Sequence, residues 1–560
     1  MAAGPSAGGR PPPVLPPPAG AAPPPGPWRA ALGAQLARLE RVFDRPFGPD
    51  GNPWRHLGAL GYFLFWIVAA SGVYVYIGFD TRADGAYASV ERMSANAFPL
   101  GSLARSLHRY ASDAFVLVVL LHLVREWLLG RYAHFRRFSW TTGVFSLWLV
   151  YASGIGGYWL VWDALAQYSL IATTEWLDAL PFLGQLARNF DATVKVSDRL
   201  FSLLIFLHIG IPLALLATMW VHVQRLARPA TTPPRALALG TAGALVALAL
   251  GKPVASAPPA DLATVPGTLA LDWFYLGVHA FADAAGAWAL WAVLLGATAC
   301  LLALPWLSRE ARARRPGAAV VDLANCNGCA RCFADCPYAA VTMQPRSDGR
   351  NHLRQAVVDA DLCAGCGVCA GACPSSTPFR STAELVTGID LPQAPIGALR
   401  AALEAALDRF SALPAGRRPN VVVFGCVPAH CGLDIRALDD ASTAALPMLC
   451  AAQLPPSFVE YALRAGADGV LVTGCRGGTQ GGDCVYRLGN RWTGLRLAGA
   501  REPHLRAAVP RDRVRIAWAG RGDEAQLAGE LRAFRASLAT VPWPAGPRPK
   551  RSETAHTRRD

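Results

Sequence analysis

Two kinds of residue pattern in this chain could do chemistry: paired histidines and runs of cysteine. Four of the eleven histidines share one spacing, His108 with His122 and His208 with His222, each pair 14 residues apart. Fourteen residues are close to four α-helical turns, so both histidines of a pair face the same way, about 21 Å apart along the axis. Two such helices side by side present two stacked pairs of neutral imidazoles, suited to hold haem iron from both sides. One lone histidine would read as a hydrogen-bonded packing residue, but two matched pairs do not. The glycines repeat the step, Gly58 with Gly72 and Gly143 with Gly157, again 14 apart. Glycine lets a flat macrocycle approach a helix backbone closely. Ordinary small-residue packing explains any one of these glycines but not their shared period.

Thirteen of the fourteen cysteines follow residue 320, many at short regular steps, which favours metal ligation over disulfides and hence a reducing compartment. Cys326, Cys329, Cys332 and Cys336, followed by Pro337, form the spacing that wraps a 4Fe-4S cube, and Cys363, Cys366, Cys369 and Cys373, followed by Pro374, repeat it. Two zinc sites would not need a third cysteine at the same two-residue step twice over. Further on, 421–426 and 469–475 read as buried parallel strands ending in Cys426 and Cys475, at the edge where α/β sheets place ligands. Cys431, Cys450 and Cys484 complete a set of five, compatible with scattered structural thiols, a zinc site or a further cluster. Cys300 stands alone in an apolar run and reads as a packing residue.

These residues need a membrane bundle and soluble domains to position them. The chain has 560 residues, too many for one domain. Hydrophobic residues make up 52% and charged residues 16%, below the soluble norm of about 25%, so part of the chain belongs in lipid. Uncharged runs at 57–79, 138–162, 200–224 and 284–308 are each long enough to cross hydrocarbon, and spans at 108–129 and 236–251 complete a set of six. Arginines at 131, 136 and 137, at 225, 228 and 235, and at 309, 312, 314 and 315 fall in alternate loops, which places those loops and both termini in the cytoplasm. The opposite loops, 80–107, 163–199 and 252–283, can cover a site on the outer face. The net charge of +14 sits beside apolar runs and in the tail, so no nucleic-acid partner is expected.

The fold expectation is an all-α transmembrane haem-binding bundle of six spans, then a small α+β two-cluster ferredoxin domain, then an α/β iron-sulfur domain. The boundaries are a Pro/Gly-rich disordered start and entry segment over 1–50, a four-span haem domain over 51–230, two further spans over 231–310, and cluster domains over 316–385 and 418–540. A helical linker over 386–417 joins the cluster domains, and a basic disordered tail occupies 541–560.

Around Pro53 to Leu307 the sequence resembles the cytochrome b family of quinol-oxidising bc-type and bf-type complexes. Leu103-Ala-Arg-Ser-Leu-His-Arg-Tyr110, Gly157-Tyr-Trp-Leu-Val-Trp-Asp163 and Leu177-Asp-Ala-Leu-Pro181 carry the likeness. The resemblance implies two b-type haems, His108 and His208 binding the outer one and His122 and His222 the one nearer the cytoplasm. Arg105 would pair with a haem propionate, and the family suggests a homodimer. Three features depart from the pattern. His56 stands where bf-type members tether an extra haem through Cys, Leu203 replaces a usual Arg with Arg199 one turn earlier, and Leu271-Asp272-Trp273-Phe274 replaces the outer quinol-site Pro-Glu-Trp-Tyr. Asp272 could accept a quinol proton, or it could be a surface acid.

Residues 318–381 resemble bacterial two-cluster ferredoxins, in which the fourth cysteine of each run crosses over, so that Cys373 would complete the first cluster and Cys336 the second. From about 420 to 538 the chain resembles the iron-sulfur delta subunit of methyl-viologen-reducing hydrogenases, through Gly466-Ala-Asp-Gly-Val-Leu-Val-Thr-Gly-Cys475, Gly482-Asp-Cys-Val-Tyr486 and Gly489-Asn490. That family carries a 2Fe-2S cluster between a hydrogenase and a heterodisulfide-reductase flavoprotein. Which four of Cys426, Cys431, Cys450, Cys475 and Cys484 bind stays open, because two of the spacings are wider than the family's.

Together these readings imply a quinone-linked oxidoreductase subunit of the inner membrane, with its iron-sulfur domains in the cytoplasm. Its partners would be quinone, lipid and a cytoplasmic flavoprotein of heterodisulfide-reductase type or a hydrogenase. The alternative is a non-catalytic anchor and electron relay without a quinone site. A redox sensor is disfavoured, since no signalling segment is visible.

Overall fold

The computed structural model describes residues 26–95, 100–181, 197–308, 316–413, 419–476 and 484–540. Of the expected disordered start and entry segment, residues 1–25 lie outside the described residues, as do the tail and linker residues 309–315, whereas 27–51 form a helix rather than a disordered segment. The chain forms two compact units, one of 56–225 and 229–311, the other of 1–55, 226–228 and 312–560. Helix α1 (Pro27–Gly51) belongs to the second unit.

The first unit is helical. Its long elements are α2 (Leu57–Gly78), α4 (Gly101–Leu128), α5 (Arg137–Trp159), α7 (Asp198–Val223), α8 (Arg235–Gly251) and α10 (Ala287–Leu307). Shorter helices α3 (Ala86–Ser94), α6 (Ala164–Asp178) and α9 (Gly277–Ala285) lie in the connections. Helices therefore stand at all six expected span positions. Three of them, Pro53–Gly78, Asp198–Val223 and Ala287–Leu307, are long and apolar enough to cross a membrane, while Arg235–Gly251 is apolar but shorter. α4, which carries Arg105, Arg109, Asp113, Arg125 and Glu126, and α5 fall outside that class. A helix with neighbours on several sides can keep polar groups that a lipid-facing helix cannot. On the outward faces Val73, Ile77, Phe206 and Leu213 are exposed. Cys300, expected to pack, is exposed as well.

α2 packs along α4, and α5 along α7. Two caps fix the ends of their neighbours. Asp163 accepts from Ala166 N at 2.9 Å to start α6 and from Ala257 N at 2.9 Å to fasten the 252–283 connection. Ser197 accepts from Leu200 N at 3.3 Å to start α7.

The second unit holds both cluster domains. Strand β1 (Val320–Val321) pairs antiparallel with β4 (Ile389–Asp390), and β2 (Val341–Pro345) with β3 (Arg354–Val358). Short helices α11 (Arg331–Asp335) and α12 (Val368–Ala372) follow the cysteine turns. The two turns repeat one backbone: Gly328 and Gly365 have φ of 68° and 63°, and Ala330 and Gly367 have 60° and 78°. Left-handed residues at matched places let each loop curl around one centre.

Helix α13 (Ile396–Ser411) occupies the expected linker. Beyond it, β5 (Val421–Cys426), β6 (Thr443–Met448), β7 (Gly469–Gly474) and β8 (Val514–Trp518) make a parallel sheet in the order β6-β5-β7-β8. Both β5 and β7 are buried throughout, as strands covered on both faces must be. On one face α13 and α14 (Pro456–Arg464) pack on Val422, Phe424, Val470 and Val472. On the other, α16 (Glu524–Thr540) places Leu527, Leu531, Phe534 and Leu538 on Val421, Val423 and Leu471. α15 (Gly489–Leu497) lies between β7 and β8 in sequence.

Phe534 is fully buried against this sheet. Phe534→Ala should cost about 3–5 kcal/mol through the cavity it leaves. A denaturant midpoint for the cluster domains equal to wild type would contradict that packing.

Candidate redox centres

The four histidines come together in two sets. His108 on α4 and His208 on α7 have ring centroids 6.2 Å apart. His108 Nδ1 bonds Val68 O at 2.9 Å, and His208 Nδ1 bonds Ser153 O at 3.1 Å. A metal-binding histidine commonly uses one ring nitrogen in this way, which orients the ring and leaves the other for iron. In the second set His222 lies within electrostatic range of His122, and Thr142 Oγ1 meets His222 Nδ1 at 3.1 Å.

Each of the four glycines faces one of these rings. A Cβ on Gly72 would stand 2.8 Å from His108 Cε1, one on Gly157 3.0 Å from His208, one on Gly143 3.2 Å from His222, and one on Gly58 3.5 Å from His122. Both orienting carbonyls, Val68 and Ser153, lie four residues before a facing glycine. The glycines keep side chains away from the rings, leaving cradles into which flat macrocycles fit. These residues suit two haems.

Around the connections on the His108 side the structure gathers polar groups. Arg105 pairs with Glu91 at 3.5 Å and donates to Ser256 Oγ at 2.7 Å and to Ser94. Asp272 is not a free surface acid. One carboxylate oxygen accepts from Arg109 at 3.1 Å and from the Tyr158 hydroxyl, and the other from Tyr275 N at 2.6 Å and Leu276 N at 3.3 Å. Arg109 also pairs with Asp113 at 3.1 Å and stacks 4.2 Å from the Tyr158 ring centroid. Sequence reasoning missed this group, although Arg109 directly follows His108 and an arginine at membrane depth is itself a signal. It also missed His279, fully buried, whose Nε2 meets Thr173 Oγ1 at 2.9 Å. Burial holds that imidazole below its usual protonation range.

The ferredoxin cysteines divide by space rather than by sequence run. Cys336 joins Cys363, Cys366 and Cys369 around a pocket also lined by Pro337 and Leu391. Cys332 neighbours Cys329, Cys373 and Cys326. Burial, with these thiols beside it, pushes Cys332 up to about 12. Buried thiols of this kind ionise only when a metal replaces the proton. Both sets suit 4Fe-4S cubes.

In the C-terminal sheet Cys426 ends β5, Cys475 follows β7 and Cys450 follows β6, so three neighbouring parallel strands deliver thiols to one edge. Cys484 arrives just ahead of α15. The four thiols close a ring: Cys426 contacts Cys450 and Cys475, and Cys484 contacts the same two. Hydrogen bonds from Cys450 and Cys475 hold Cys484 low, while the other three are raised. Cys431 lies outside the ring and donates to the carbonyls of Cys426, Val427 and Leu433 at 3.2 to 3.4 Å. Among the described residues no three ligand side chains close on a single-ion site. The four-thiol donor set is of the kind that an iron-sulfur cluster takes.

Comparison with known proteins matches this layout. Residues 43–229 match the family Cytochrome b/b6/petB, 325–377 the 4Fe-4S dicluster domain, and 439–541 the methyl-viologen-reducing hydrogenase delta subunit. The three matches follow one another along the chain in the order of the three resemblances read from the sequence. Cytochrome b6 of Stigeoclonium helveticum is 31% identical over 24% of this chain and 63% of its own length. Cytochrome b6 of Heliobacterium mobile is 27% identical over 30% of this chain and 78% of its own. That of Heliobacterium modesticaldum is 28% identical over 28% and 73%. A solved structure described as hyperthermophilic respiratory Complex III has 18% identity, a TM-score of 0.39, and coverage of 51% of this chain and 85% of its own. The three family matches and the apolar helices agree with the sequence reading of a haem-bearing membrane segment followed by iron-sulfur domains.

Two outcomes follow. Gly72→Leu, or His108→Ala, should lower the haem content from two per chain to one, measured as the pyridine haemochrome; two haems in either folded variant would contradict the His108–His208 cradle. Cys431→Ser should keep the iron and sulfide content of wild type, whereas Cys484→Ser should lose the C-terminal cluster. The reverse result would place Cys431 among the ligands.

Proposed function

We propose that this chain exchanges electrons between the membrane quinone pool and a cytoplasmic redox partner, as a subunit of a larger complex. The observation that carries the reading is the match of four histidines with four facing glycines at one 14-residue step on paired helices. When bound, two b-type haems, two 4Fe-4S clusters and a 2Fe-2S cluster supply one-electron carriers.

The chain's own residues supply position. His108 and His208 would hold the outer haem, and His122 and His222 the haem nearer the cytoplasm, with Gly58, Gly72, Gly143 and Gly157 leaving room for the macrocycles. Arg105 would hold a propionate. Cys326, Cys329, Cys332 and Cys373 would bind one cube, and Cys336, Cys363, Cys366 and Cys369 the other. Cys426, Cys450, Cys475 and Cys484 would bind the last cluster. The alternate arginine loops support a cytoplasmic location for the cluster domains. The soluble partner is a flavoprotein of heterodisulfide-reductase type or a hydrogenase, and electrons run from it toward quinone.

One observation favours quinone exchange at the cytoplasmic side. Both oxygens of Asp272 are already engaged, by Arg109 and Tyr158 and by two backbone N–H groups. These four donors occupy the lone-pair positions of the carboxylate, leaving none for a quinol hydroxyl. The same observation keeps a second reading in view, a relay and anchor with no quinone site of its own.

Adding quinol to the purified anaerobic chain and following the haem optical bands separates the two. Reduction of haem supports the quinone-linked reading, and no reduction leaves the relay. Asp272→Asn should change quinone-linked electron transfer by less than tenfold, about 1.4 kcal/mol in the barrier. A larger loss would move the chemistry to the outer face.

A further inference from the structure

The second ferredoxin site and the C-terminal four-cysteine site are joined through one buried guanidinium. Arg496 on α15 has a side chain 1% exposed. It donates to Ala452 O at 2.8 Å, to Val368 O at 3.3 Å and to the carboxylate of Asp335. Each acceptor adjoins a thiol: Ala452 lies two residues after Cys450, Val368 one before Cys369, and Asp335 one before Cys336. One side chain therefore ties together loops that serve both sites.

The two backbones also meet without side chains between them. A Cβ on Gly371 of α12 would stand 2.0 Å from Ala452 O, so only glycine permits this approach. Tyr486, 4% exposed, lies within electrostatic range of Cys366, Cys450 and Cys426. The charges are unequal as well. Arg501 donates to the other oxygen of Asp335 at 2.7 Å and lies 3.6 Å from the Trp492 ring centroid. Two cations thus share one anion, leaving net positive charge beside two thiolate-rich sites.

We propose that Arg496 is the positioning residue of a direct one-electron contact between the second ferredoxin centre and the C-terminal centre, and that its charge favours the reduced form of both. This rests on reading both sites as iron-sulfur clusters. In the step, one electron leaves the reduced C-terminal centre, which is oxidised, and enters the second ferredoxin centre, which is reduced. No bond changes and no proton moves. A buried positive charge attracts the extra negative charge of a reduced cluster. Lysine could replace that charge but not the planar fork that reaches three divergent acceptors.

The test is an anaerobic redox titration of the full-length protein followed by EPR, reading midpoint potentials and the magnetic broadening between the two reduced centres. Arg496→Met should lower the reduction equilibrium of each centre about tenfold, 59 mV for a one-electron couple, and weaken the broadening. Arg496→Lys should hold the potentials within that margin while weakening the broadening. Wild-type potentials and broadening in a cluster-loaded Arg496→Met protein would overturn the proposal. If that variant fails to load clusters, Arg496→Lys decides, and undiminished broadening in it overturns the proposal. A wild-type protein whose iron, sulfide and EPR signals lack a C-terminal cluster would instead overturn the reading of that site.

Discussion

A rise of four helical turns separates the two histidines on α4 and the two on α7, and the bundle is organised around that period. Two ligands held at two levels of one helix pair are separated by that rise, so the residues that hold them and those that make room for them share the same step. Gly72 and Gly157 face the His108 and His208 level, and Gly58 and Gly143 face the His122 and His222 level. Opposed helix directions explain the order, since α2 and α5 present their second glycine where α4 and α7 present their first histidine. The pairing of α2 with α4 and of α5 with α7 is the packing that such a repeat requires.

Burying thiols imposes the corresponding constraint on the soluble half. A thiolate pays a desolvation cost in an apolar site, and several thiols near one another repel further charge. The structure meets this by collecting cysteines into sets of four that a metal cluster can neutralise. The same logic accounts for Asp335, Arg496 and Arg501. An anion 2% exposed is tolerable only between cations, and stripping one member from such a group typically costs several kcal/mol. Their placement at the meeting of two cluster loops makes structural support and electrostatic tuning the work of the same residues.

Polar chemistry inside the helical unit follows a similar rule. Arg109, Asp113, Asp272 and Tyr158 satisfy one another, and Asp163 and Ser197 close helix starts. A carboxylate that already accepts four hydrogen bonds has a structural task, and this weighs against the proton-accepting role that its place in the sequence suggests.

Local periodicity and spacing alone determined much of this protein. The histidine and glycine step, the doubled cysteine runs, the apolar stretches and the two cysteine-ended strands are all short-range patterns, and a helix or strand converts them directly into a shared face or edge. Which residues meet across elements is a different matter, because it depends on how faces pack. Only the tertiary structure separates Cys431 from the other four by seating its thiol on backbone carbonyls, and draws Arg109 to Asp272 across 163 residues of chain. Arg496 shows the limit most clearly. In sequence it is one arginine among many on a polar helix, and it acquires a role only because folding brings Ala452, Val368 and Asp335 within reach of a single guanidinium.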